Sequence, residues 1–138
     1  MMKKEINTTL APEAIGTYSQ AIATDNLVFI SGQIPLDPAT MELVNGVENQ
    51  IKQVFKNIES ILKVENLSFS DIVKLTILLD DLENFNLVNK VMSELFEKPY
   101  PARAAYEVSR LPKNSSIEIE TIAPVSYTHL RAHETSRN

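Results

Sequence analysis

The stretch IVKLTILL, Ile72–Leu79, decides the fold of this chain. It is rich in β-branched and aliphatic residues, and both of its alternating faces are partly apolar, which suits a central strand covered on two sides. Upstream, Val47, Ile51, Val54, Phe55, Ile58, Ile61 and Leu62 recur at the spacing of one helix face, with Glu48, Lys52, Lys56, Glu59 and Lys63 opposite. A helix from Val47 therefore precedes the strand. Downstream, Asn84 offers an N-cap to a shorter helix with Val88, Val91, Met92, Leu95 and Phe96 inside, and Pro99 and Pro101 end it.

Further out, LVFIS (Leu27–Ser31) reads as a buried strand closed by Gly32 and the turn-rich PLDPAT. ARAAYEV (Ala102–Val108) and SIEIETI (Ser116–Ile122) are extended segments joined by RLPKNS, and the second alternates isoleucines with Glu118 and Glu120. Strands alternating with two helices predict an α/β sandwich with at least one β-α-β crossover. Two helices cover only one face of such a sheet. Ile72 and Leu78 lie on the alternation opposite Val73, Leu75, Ile77 and Leu79, so the second face also asks for burial, which predicts an oligomer packed sheet against sheet. The alternative is that these extra apolar residues lie at a strand end.

With 138 residues, 43% of them hydrophobic and 22% charged, the chain is expected to form one domain around a single core. MMKKEINTTL, at the start, has no apolar run, and no window reaches the length that spans a bilayer, so the expectation is a cytoplasmic protein with no membrane partner. The absence of cysteine removes disulfides, thiol nucleophiles and thiolate metal sites. A net charge of -5 without a Lys/Arg run disfavours a nucleic-acid partner.

Both histidines, His129 and His133, fall in the last stretch, APVSYTHLRAHETSRN. Histidines four apart share a helix face and invite a metal reading, but no third ligand stands at a fixed spacing. Pro124–Thr135, PVSYTHLRAHET, also matches the translation of a library adapter codon by codon. Residues 1–123 are accordingly read as the domain and 124–138 as an adapter-derived, non-native tail, and no metal site is assigned.

Polar catalysis then rests on Arg, Lys, Glu, Asp, Tyr or Ser. Arg103 and Glu118 draw attention: an antiparallel pairing of their strands would bring them together, partly buried on a sheet face between subunits. An arginine fork binds a carboxylate by two parallel hydrogen bonds, and a glutamate can activate water, which suits hydrolysis of a small carboxylate-bearing substrate. The same two residues would also serve as an ion pair between strands, and spacing alone favours that reading. Taken singly, Tyr18 reads as a packing residue, Gly32 as a turn residue and Asn89 as a solvated helix position.

Together, GTYSQA (16–21), FISGQIPLDP (29–38), LENFNLVN (82–89), YPARAAYEV (100–108) and RLPKNSSIEIE (110–120) resemble, in order, the motifs of the Rid/YjgF family of enamine and imine deaminases. The likeness runs from Ile6 to Ala123, and the PAR and IEIE segments are its most specific parts. It implies a chorismate-mutase-like two-layer α/β sandwich, one mixed sheet with two helices on one face, assembled as a homotrimer with a site at each subunit interface. It further implies hydrolysis of 2-aminoacrylate, 2-iminopropanoate and 2-iminobutanoate to 2-oxo acids and ammonia without a cofactor. By the same match Arg103 clamps the substrate carboxylate and Glu118 positions or activates water. Tyr18, Ser31, Gly32 and Asn89 line the substrate pocket, and the backbone at Ala105 contacts ligand. Thr17 stands where relatives carry proline, and Ala105 where many carry cysteine, so an obligatory thiol is not expected. Two other readings compete: a ribonuclease or translation inhibitor, which acidic charge and the lack of a native histidine weaken, and a non-catalytic trimeric 2-oxo-acid-binding or chaperone-like module.

Overall fold

A computed structural model describes residues 3–125. Its elements are β1 (Lys4–Ile6), β2 (Ala21–Ala23), β3 (Leu27–Gln33), α1 (Val47–Val64), β4 (Lys74–Leu79), α2 (Phe85–Leu95), β5 (Ala102–Glu107) and β6 (Ile117–Pro124). They build one six-stranded sheet of order β1-β2-β3-β6-β4-β5, antiparallel except where β4 pairs with β5. The parallel pair is joined through α2, which is the expected crossover. Ile51, Val54, Phe55, Ile58, Ile61 and Leu62 of α1 meet Val88, Val91 and Met92 of α2 in one core with Leu75, Ile77 and Leu79 of β4 and Ile117 and Ile119 of β6. Both helices thus cover one face of the sheet, as the fold reading expects.

Several details depart from the sequence reading. Ile72 is buried in the core ahead of β4, and Val73 is exposed, because a 3-10 turn at Phe69–Asp71, closed by a Ser68–Asp71 capping box, reorients the chain before the strand begins. The strand-end alternative therefore holds for Ile72. The uncovered face nonetheless carries apolar residues among Lys74, Thr76, Glu118 and Glu120: Ile22, Phe29 and Ile122 stand in register across three strands, and Leu78 stands beside Tyr106. Phe29 and Tyr106 are 42% and 58% exposed there. Leu95, expected inside α2, is exposed, and the side-chain cap belongs to Asp81, which accepts from the Glu83 N–H, while Asn84 makes no such bond.

Gly32 does not close its strand. β3 runs on to Gln33 with a bulge, since Ile30 faces Thr121 while Gln33 faces Ile119, leaving Ser31 and Gly32 together opposite Glu120. At the far end, β6 continues through Pro124, paired with Leu27, and the Val125 N–H donates to Asn26 O at 2.9 Å. The expected boundary after Ala123 falls inside that paired strand, and the histidines lie outside the described residues. Among the described residues no helix is long and apolar enough to cross a membrane.

Candidate active site

Arg103 lies on the edge strand β5 in register with Leu75, so its side chain leaves the sheet on the face that carries the helices. Phe85, Asn89 and Met92 follow one another at i, i+4 and i+7 on α2, and this stripe looks onto β5. Arg103 Nη1 donates to Asn89 Oδ1 at 2.7 Å and approaches Met92 Sδ at 3.5 Å, while the guanidinium carbon stands 4.7 Å from the centroid of the Phe85 ring. Among the described residues no carboxylate pairs with it. The arginine is exposed rather than buried, and beside it opens a cleft of about 480 Å³ lined by Asn89, Met92, Ser93, Tyr100 and Pro101. A held guanidinium at an open cleft suits a carboxylate.

Glu118 occupies the other face. It stands opposite Leu78 on β6, while its neighbours Ile117 and Ile119 enter the core. The carboxylate lies over Gly32: a Cβ at that position would sit 2.0 Å from Glu118 Oε2 and 2.9 Å from Cδ. A side chain there would displace the Glu118 carboxylate, so the glycine leaves room for it and is not needed for backbone freedom. Burial pushes the Glu118 carboxyl above its ordinary range, and the charge of Glu120, next on the same face, adds to the rise. No hydrogen bond among the described residues offsets this.

On its other side Gly32 lines a second cleft, of about 350 Å³, with Tyr18, Ile15, Ile34, Leu36 and Met41. Tyr18 is 53% exposed, and its hydroxyl accepts only a long bond from the Ile15 N–H at 3.4 Å. Ser31 donates its hydroxyl to Ser19 O at 2.5 Å, so it holds the Tyr18 segment against the bulge. Ala105 pairs with Ile77, on the face of Arg103, and packs against the core.

The expected meeting of Arg103 with Glu118 does not occur within one chain. β4 lies between β5 and β6, and the two side chains leave opposite faces of the sheet. The structure instead groups Arg103 with Asn89, and Glu118 with Gly32, while Tyr18 lines the cleft that Gly32 borders and Ser31 precedes Gly32 in the bulge. Reading the residues singly missed Phe85, and it assigned Asn89 to solvent because the apolar rhythm of α2 runs through Val88, Val91 and Met92. An aromatic four residues before an asparagine, facing a strand that carries arginine, was the available signal. Among the described residues no group of three or more acidic or histidine side chains could hold a metal.

The chain is thus a small α/β sandwich with a helix-held arginine at one edge and a half-buried glutamate over a glycine bulge, and among the described residues no side-chain cluster offers a metal cradle. The family model described as Endoribonuclease L-PSP matches residues 8–125, and the chain belongs to that family, Rid/YjgF. The human 2-iminobutanoate/2-iminopropanoate deaminase is 47% identical over 124 residues, covering 89% of this chain and 90% of its own length. The crystal structure of RidA from the Antarctic bacterium Psychrobacter sp. PAMC 21119 superposes with a TM-score of 0.86 at 46% identity, over 88% of this chain and 99% of that one. E. coli TdcF, solved with bound serine, gives a TM-score of 0.85 at 40% identity over 89% and 99%.

Proposed function

We propose that this protein is an enamine/imine deaminase that hydrolyses 2-iminopropanoate, 2-iminobutanoate and, through its imine tautomer, 2-aminoacrylate, giving 2-oxo acids and ammonia. The observation that carries this reading is the helix-held Arg103 beside an open cleft, in a chain 47% identical to a deaminase of that name. The serine bound in TdcF, a small amino acid with a carboxylate, accords with that cleft chemistry.

Arg103 takes the substrate carboxylate in its fork and orients C2 of the imine. Water adds to C2 as Glu118 accepts one of its protons and passes it to the imine nitrogen, giving a carbinolamine. The carboxylate then takes the hydroxyl proton and delivers it to the amino nitrogen as C=O forms, the C–N bond breaks and ammonia leaves. One water is consumed, and C2 keeps its oxidation level from imine to 2-oxo acid, so the chemistry requires no redox cofactor. A carboxyl raised by burial serves both steps better than a fully solvated one, because its two protonation states lie closer in free energy near neutral pH. The biological role is removal of reactive intermediates released by pyridoxal-phosphate dehydratases in the cytoplasm, with neither nucleic acid nor membrane as partner.

Since Arg103 and Glu118 leave opposite faces, one substrate meets both only across a subunit interface, and the exposed Phe29 and Tyr106 on the uncovered sheet face offer such an interface apolar area. The assembly is a homotrimer with three shared sites. The test is a dehydratase-coupled assay for faster pyruvate release from 2-aminoacrylate, with Arg103→Ala and Glu118→Gln measured singly and after co-refolding. Wild-type acceleration, loss in each variant and partial recovery in the mixture are expected, because a mixed trimer contains one interface with both groups intact. Recovery absent from mixed trimers would sink the shared site. Pyruvate binding without any turnover would move the assignment to a 2-oxo-acid-binding module.

A further inference from the structure

Gln20 carries an inference of its own. Its side chain is 2% exposed, and its amide is fully used: Oε1 accepts from the Thr8 N–H at 2.8 Å, and Nε2 donates to Thr8 O at 3.0 Å and Pro12 O at 2.8 Å, with Ala11 O at 3.4 Å. One side chain therefore ties the entry of the Pro12–Tyr18 segment to its exit. Between those ties Glu13, Ile15, Gly16, Thr17 and Tyr18 are exposed, and Ile15 and Tyr18 wall the cleft beside Gly32. The backbone of the same residue continues the link, since Gln20 O accepts from the Ser31 N–H at 2.9 Å at the start of the bulge that seats Glu118 over Gly32.

We propose that Gln20 is a positioning residue for the acidic half of the site, setting Tyr18 and its loop over the Ser31–Gly32 bulge. This rests on the deaminase reading for its kinetic consequence, but not for its structural one. The loop has no regular secondary structure of its own between Glu13 and Tyr18, and the long Ile15 to Tyr18 bond is too weak to fix it. Gln20 supplies a well-formed bond to the loop's entry at Pro12 O and anchors its own end of the loop through two bonds to Thr8. Gln20→Glu is nearly isosteric but removes both donors and sets an acceptor against Thr8 O and Pro12 O. Gln20→Met keeps the length and removes every bond.

The test compares wild type, Gln20→Glu, Gln20→Met, Tyr18→Ala and the double variant Gln20→Met/Tyr18→Ala. It reads KM and kcat for 2-iminopropanoate, the melting temperature, and amide hydrogen exchange over residues 13–18. The expected result is faster exchange at 13–18 in both Gln20 variants, with protection in α1 unchanged. KM should rise on the order of tenfold with kcat within about twofold, the signature of lost binding rather than lost chemistry. The double variant should bind no worse than Tyr18→Ala, because Gln20 acts through the loop that Tyr18 terminates. Additive effects on KM, or exchange at 13–18 left at the wild-type rate, would overturn the proposal. A wild-type protein without turnover would fail the deaminase reading alone, and the exchange data would still decide the role of Gln20.

Discussion

The two halves of the site are held by opposite means. Arg103 is exposed on an edge strand and is fixed by what touches it: the Asn89 amide at 2.7 Å, the Phe85 ring at 4.7 Å and the Met92 sulfur at 3.5 Å. Glu118 is half-buried on an interior strand, and it lies in the room left by the missing side chain at Gly32. A group held by several contacts survives the loss of one of them. A group seated in a gap does not survive the gap being filled. The cationic half should therefore tolerate deletion, and the acidic half should fail on the addition of a single methyl group.

The largest expected effect tests the acid itself. Glu118→Gln keeps the shape and removes the proton acceptor, and kcat should fall on the order of 10³-fold. In the wild type, activity should rise with pH through the raised pKa of Glu118, since the carboxylate is the form that accepts the proton of water. Stability runs the other way: the folded state holds this proton to higher pH than the unfolded chain, so between the two pKa values stability declines as pH rises. Glu118→Gln should abolish that part of the decline. A pH–activity profile unchanged in shape by the substitution, with residual activity present, would remove Glu118 from proton transfer.

Next in size is Gly32→Ala. Its Cβ would lie 2.0 Å from Glu118 Oε2, so the carboxylate must leave its seat, and a displacement of about 1 Å at a reacting group costs on the order of 10² in kcat/KM. Asn89→Ala should cost less, about tenfold in kcat/KM, because the Phe85 ring still supports the guanidinium after one hydrogen bond is lost. Kinetics on the two variants rank them directly. If Asn89→Ala proved the worse, the contrast between a contact-held and a gap-held group would be wrong.

What the sequence made legible follows the same division. The 3.6-residue rhythm from Val47 predicted the start of α1 to the residue, and the doubly apolar IVKLTILL placed β4 in the sheet interior, because both signals come from burial. The residues of the site were visible as motifs, yet their grouping was not. That Arg103 and Glu118 face opposite ways depends on β4 inserting between β5 and β6, a long-range pairing that no local pattern records. The bulge at Ser31–Gly32 was hidden for another reason: a glycine after a strand reads equally as a turn, and only the register with β6 separates the two. The buried clamp of Gln20 was likewise illegible, since the backbone groups it satisfies lie 8 to 12 residues upstream and carry no sequence signature.

The smallest expected effect concerns Tyr18, and it sharpens the comparison most finely. Its hydroxyl has one contact among the described residues, the 3.4 Å bond from the Ile15 N–H, and the ring is half open to solvent. Removing that hydroxyl in Tyr18→Phe costs the fold almost nothing, and the ring still walls the cleft beside Gly32. If Tyr18 only shapes the pocket, kcat/KM should drop by less than about threefold, all of it in KM. Thr17, where a proline would stiffen the turn, leaves the loop room to absorb the change. A tenfold fall in kcat instead would put the phenol in proton transfer beside Glu118. The acidic half would then be held partly by a functional contact as well as by a gap, and its sensitivity to Gly32→Ala would have a second cause, displacement of the tyrosine.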